Sequence, residues 1–178
     1  PRLMLMSNFM KLEASCRETQ GALATLDSAL DGHLINPSEI TNIRIETFKT
    51  ACLLGSKKPV NATAARFSIP AVIAARLLQG PIRPQSFTPE LLTSVQFRQL
   101  CSTVKLLPIN HGVAISRRCR VELTCLDGTI VSGEKDHCPG DPLEPLPPDT
   151  LKQKFLSLTL SSGIDVREGL WRQICRDQ

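Results

Sequence analysis

Apolar residues recur at helical spacing between residues 69 and 78, and this segment is the most fully specified element in the chain. Ile69, Val72, Ile73 and Leu77 share one face, with Leu78 at its edge and Arg76 and Gln79 pointing elsewhere. Ser68 supplies an N-cap, Pro70 sits in the first turn where a missing N–H is harmless, and Gly80-Pro81 ends the run. Ala71, Ala74 and Ala75 form a smooth flank that another backbone can approach closely.

A second helix is predicted from Thr19, with Leu23, Leu26 and Leu30 three and four apart, Ala22 and Ala29 beside them, and Gly32 as the stop. The polar stretch at residues 11–20 leads into its N-terminus, a natural place to meet an anion. Residues 3–10 fit either a helix end or a short buried strand. After the turn at residues 36–39, Ile40, Ile43, Ile45 and Thr47 mark a strand, alternating with Arg44 and Glu46 over its second half. Residues 51–61 read as a loop and residues 81–84 as a connector. Thr88-Pro89 has the cap-then-proline form of a helix start, with Leu91, Leu92, Val95 and Leu100 inward.

Residues 104–109 read as a strand in which Pro108 marks an edge position or an early end. The clearest β signal follows. Cys119, Val121, Leu123 and Cys125 alternate with polar residues, and Asp127-Gly128 then turns into residues 129–132, a hairpin signature. A loop over residues 136–148 leads to a helix carrying Leu151, Phe155 and Leu158, and residues 164–175 suit one more. The only strands joined by a tight turn are antiparallel. The chain is therefore expected to be α+β, a small antiparallel sheet with helices packed mainly on one face. Its 178 residues fit a single domain with its core at about residues 11–147 and a C-terminal helical segment at about 148–178.

Charge and composition narrow the function. A net charge of +4 spread thinly, with Lys57-Lys58 and Arg117-Arg118 as the only tight basic doublets and no tyrosine, argues against nucleic acid as the main partner. No apolar run is long enough to span a membrane. Seven cysteines at irregular spacing suit a reducing compartment, which predicts an intracellular protein, cytoplasmic or mitochondrial. Pro1 is not an initiator methionine, and the short Leu3–Met6 run is no signal-peptide core; both favour a piece of a larger protein.

Three sets of residues are candidates for chemistry. His33, His111 and His137 are far apart, and His137-Cys138 would point opposite ways on an extended chain, so no bound metal is expected. Cys16, just before a helix start and beside Arg17, is a candidate low-pKa thiol, although an inert cysteine is the commoner outcome. Arg66 and Ser68 combine a fixed charge, a hydroxyl and helix N–H groups in a fair carboxylate pocket, against an ordinary capped helix as the plainer alternative.

Five landmarks in order resemble the C-terminal part of the MmgE/PrpD family, which includes 2-methylcitrate dehydratase, cis-aconitate decarboxylase and iminodisuccinate epimerase. They are KLEASCRETQGALATLDSAL at residues 11–30, the strand at Ile43-Arg44-Ile45, and ARFSIP at residues 65–70 with its alanine-rich helix. The last two are the hairpin strand ending at Leu126-Asp127-Gly128, and GDPLEPL at residues 140–146 running on to Phe155. The resemblance covers about residues 11–160. It implies a two-domain protomer whose helical N-terminal domain is absent from this chain, a homodimer, and cofactor-free acid–base chemistry on small di- or tricarboxylates. It also implies that Arg17, Gln20, Arg66 and Ser68 bind substrate, with Glu18 as the candidate acid or base.

The same landmarks show departures. Glu18 and Gln20 stand where the family often carries histidines, Glu13-Ala14 replaces its Tyr-Pro, and Ala71 replaces an aromatic residue. Neither Glu18 nor Gln20 replaces a histidine, the side chain suited to proton transfer near neutral pH. Two alternatives follow: a non-catalytic member kept for interaction or assembly, and a small thiol-dependent enzyme using Cys16 or Cys138.

Overall fold

A computed structural model describes residues 8–109, 117–160 and 169–171. The chain divides into two compact units, residues 13–139 and the combined ends, residues 1–12 with 140–178.

The larger unit is built on a four-stranded sheet in the order β2-β1-β3-β4. Its strands are β1 (Ile40–Thr47), β2 (Val104–Pro108), β3 (Cys119–Cys125) and β4 (Ile130–Lys135). The hairpin stands as predicted. Gly128 takes φ 85°, and the Asp127 carboxylate accepts from the Thr129 N–H at 2.8 Å, so the turn closes on its own residues. The α+β class holds, but the sheet is mixed rather than wholly antiparallel, because β2 lies parallel to β1, with Ile43 opposite Val104 and Thr47 opposite Pro108. The connection between them runs through five helices, and a crossover of that length is what a parallel pair requires. A bulge between Ile40 and Asn42 resets the register, so Ile40 as well as Ile43 and Ile45 is buried.

Helices α1 (Arg17–Leu30), α2 (Lys49–Cys52), α3 (Ala62–Arg66), α4 (Ile69–Gln79), α5 (Pro89–Thr93) and α6 (Val95–Thr103) complete this unit. They cover one sheet face, where Ile43, Ile45, Val104, Val121 and Leu123 are fully buried. Gly133 marks the tightest approach: a Cβ there would lie 2.8 Å from the Ala29 nitrogen and the Thr25 oxygen of α1.

Ser68 caps α4 through the Ala71 N–H at 3.1 Å, and Gly80 ends it with φ 79°. The alanine flank packs as well. Every residue from Ile69 to Ala75 is buried, and α4 contacts both α1 and α6. Two helix predictions shift. Helix α1 begins at Arg17 rather than after Thr19, whose hydroxyl instead donates to the Cys16 carbonyl at 2.7 Å. The single helix expected from Thr88 breaks at Ser94, which is extended and caps the Phe97 N–H at 3.2 Å. That restart changes the helical phase, exposing Val95 and burying Phe97. The stretch read as loop holds only the last two residues of α2, and α3 follows it.

In the smaller unit, the Met10 N–H donates to Gly140 at 2.9 Å, and Gly140 takes φ 94° with the Met10 carbonyl where a side chain would sit. Helix α7 (Pro148–Leu160) follows the predicted start. Leu151 and Phe155 are half-buried, Leu158 is exposed, and Phe155 packs on Trp171 with ring centroids 5.5 Å apart. Residues 1–7 and most of the helix predicted at 164–175 lie outside the described residues. No described helix is long and apolar enough to cross a membrane.

Candidate functional site

Three segments meet at the start of α1. The Cys16 N–H donates to the Arg66 carbonyl at 2.9 Å, joining the segment before α1 to the end of α3. The Ala14 N–H donates to the Ile82 carbonyl at 3.0 Å, and the Ile82 N–H returns a bond to the Glu13 carboxylate, which ties in the connector after α4. The two helix starts singled out in the sequence are thus neighbours, although fifty residues separate them along the chain.

The predicted site residues fare differently at this junction. Arg17 is exposed, and Arg66 is half-buried with Nη2 on the Pro84 carbonyl at 2.6 Å. Gln20 is buried and turned inward. Its Oε1 accepts from the Glu13 N–H at 3.1 Å, while Nε2 donates to Ser15 Oγ at 2.8 Å and to the Glu13 carbonyl at 3.2 Å. Ser68 is fully buried; besides capping α4, its hydroxyl donates to the Ser56 carbonyl. Glu18 is half-exposed and pairs with Arg117 Nη1 at 3.0 Å, and that guanidinium lies 5.2 Å from the Phe48 ring centroid.

The two helix N-termini differ accordingly. At α4 the first-turn donors are used internally: Ile69 bonds Leu54 at 2.8 Å, Pro70 has no N–H, and Ala71 and Val72 bond Ser68. At α1 the N-cap is Cys16, which makes no side-chain cap bond.

Sequence reasoning missed one charged network here. Glu13 lies 3.5 Å from Arg76, which also grips Asp27 through two bonds of 2.8 and 2.7 Å. Burial pushes the Glu13 carboxyl above its ordinary value, against the pull of Arg76 and the Ile82 N–H. Arg76 carried no signal beyond lying off the apolar face of its helix. Its reach to α1 exists only once α4 is docked.

The thiols are mostly withdrawn. Burial pushes Cys101 and Cys119 up to about 12 and raises Cys52, and Cys138 is buried. Cys16 is half-buried. Among the described residues no three His, Cys, Asp or Glu side chains stand together as metal ligands; His33 is exposed, and His111 lies outside the described residues.

Fold and junction together define an α+β domain whose polar α1 start is braced by the α3 end and the connector after α4. Residues 14–169 match the MmgE/PrpD C-terminal domain, and the chain belongs to that family. No curated relative matches it.

Proposed function

We propose that this domain is the smaller part of an MmgE/PrpD-type lyase or isomerase, of the dehydratase, decarboxylase or epimerase kind. It acts on a small di- or tricarboxylate by acid–base chemistry without metal or organic cofactor. A helical domain preceding this chain completes the site within an intracellular homodimer. The observation that supports this reading is the Cys16–Arg66 backbone bond, which sets the chain just before Arg17 beside the chain at Arg66. Arg17 and Arg66 bind substrate carboxylate, and Gln20 and Ser68 hold the backbone that presents them. Glu18 serves as acid or base only when substrate displaces it from Arg117, since the ion pair occupies its carboxylate.

The test uses the two-domain protein supplied with small di- and tricarboxylates. Arg66→Ala raises KM by about tenfold or more, the scale expected for losing a charge-assisted bond, without lowering thermal stability. Arg66→Lys recovers part of the loss. Unchanged kinetics in Arg66→Ala removes the assignment.

A second reading, a catalytically inactive member with an assembly role, is favoured by the inward commitment of Gln20 and Ser68. It predicts no turnover of any small carboxylate by the two-domain protein.

A further inference from the structure

The segment before α1 holds Arg66 at both ends. At the backbone end, the Cys16 N–H donates to the Arg66 carbonyl at 2.9 Å. At the far end, Arg66 Nη2 donates to the Pro84 carbonyl at 2.6 Å, and Pro84 lies in the connector after α4. That connector is itself fastened to Glu13 and Ala14. The fastening point is Ile82, a buried residue whose carbonyl accepts from the Ala14 N–H at 3.0 Å and whose N–H donates to Glu13 Oε2.

Little freedom separates Ile82 from Pro84. The Arg83 N–H donates to Ser86 Oγ at 2.8 Å, and the Ser86 N–H returns to the Arg83 carbonyl at 3.1 Å. The two bonds close a turn around Pro84, whose ring fixes its own φ. Where the Glu13 carboxylate sets Ile82, the Pro84 carbonyl follows, and the Arg66 guanidinium with it. Glu13 is in turn anchored from two sides. Its N–H donates to Gln20 Oε1 at 3.1 Å, and its Oε1 lies 3.5 Å from Arg76 Nη1, while Arg76 is fixed on Asp27. Only 13% of the Glu13 side chain is exposed, so water is a poor substitute for it at Ile82.

Arg66 differs from the other arginines nearby. Arg76 and Arg117 are paired with carboxylates, whereas the Arg66 guanidinium bonds a neutral carbonyl. Among the described residues no carboxylate pairs with it. A guanidinium held by a neutral oxygen keeps its attraction for an incoming anion.

From this we infer that Glu13 is a positioning residue for Arg66, acting through Ile82 and Pro84 to hold its guanidinium in place. The positioning is a property of the chain alone. Its consequence, tighter carboxylate binding, rests on the reading of Arg66 as a substrate-binding residue.

Two measurements keep these apart. The first is NMR relaxation of the Arg66 Nε–H in the whole chain, without substrate. Its order parameter falls from about 0.85 to below about 0.6 in Glu13→Ala and stays high in Glu13→Gln, whose amide oxygen still accepts from Ile82. Glu13→Met fills similar space without an acceptor and repeats the loss, so the test survives if Glu13→Ala fails to fold. The second is calorimetric titration of the two-domain protein with citrate as a tricarboxylate probe. Glu13→Ala raises Kd about fivefold, Glu13→Gln restores it, and Glu13→Ala adds nothing in an Arg66→Ala background. A merely structural Glu13 would weaken binding alike in both backgrounds. Arg66→Ala that binds citrate as the unaltered protein does removes the carboxylate reading, and the relaxation result alone then decides the positioning. An Arg66 Nε–H equally ordered in Glu13→Ala and Glu13→Met, or a Kd that Glu13→Ala raises equally with and without Arg66, overturns the inference.

Discussion

Replacing Gln20 with alanine separates a structural amide from a substrate-binding one. The side chain is 4% exposed, and its amide is bonded at both ends within the segment before α1. Truncation leaves the Glu13 N–H without its acceptor and removes a 2.8 Å donor from Ser15 Oγ, which keeps Thr19 at 2.7 Å. An unsatisfied, partly buried N–H costs about 1–3 kcal/mol, and the lost donor bonds add about 1 kcal/mol more. The expected destabilisation is therefore about 2–4 kcal/mol, a fall in Tm of roughly 5–12 °C for a chain of this size. Urea titration followed by circular dichroism measures it as a lower midpoint at unchanged slope. A stability change within about 0.5 kcal/mol for Gln20→Ala would mean that the amide is dispensable to the fold, and this account of Gln20 would fail.

Three further outcomes follow from the packing. Gly133→Ala places a methyl group against the α1 backbone, so the unfolding midpoint drops by about 1–3 kcal/mol; an unchanged midpoint would show that α1 shifts freely. The folded state holds the Glu13 proton more tightly than the unfolded chain does, so the stability this group contributes is present below the ordinary carboxylate pKa of 4.5 and lost as pH rises through its raised folded value. Glu13→Gln is therefore more stable than the unaltered chain at neutral pH, and the difference shrinks below pH 4.5; pH-dependent thermal unfolding that shows the opposite sign refutes it. Alkylation of the native chain near neutral pH, read by mass spectrometry, leaves Cys101 and Cys119 unmodified, since burial holds both thiols near 12. Rapid labelling of either would mean that the core opens.

Much of the fold was legible because local signals agree with their surroundings. Ser68, Pro70 and Gly80 bound α4 through backbone chemistry contained within a dozen residues, and Asp127-Gly128 closes its hairpin in the same way. The Ser94 break was harder to read, because a serine within an apolar run is a cap only if the chain turns extended there. The parallel placement of β2 and the burial of both flanks of α4 depend on which elements pack together, and periodicity along one strand or helix does not report its neighbour.

The site divides along the same line. The family resemblance marked Arg17, Glu18, Gln20, Arg66 and Ser68 as one group, and the Cys16–Arg66 bond joins the two stretches that carry them. What each polar group does there was decided by tertiary structure. Gln20 and Ser68 face inward because buried backbone donors and acceptors must be satisfied, and these side chains are the nearest able to do it. The sequence by itself determined where α4 begins, since a cap is a contact between near neighbours, whereas α1 starts at Arg17, ahead of the Thr19 cap expected from sequence. Only the packed fold determined that the α4 start is sealed by Leu54 and Ser56 while the α1 start makes no side-chain cap, because those partners come from distant parts of the chain.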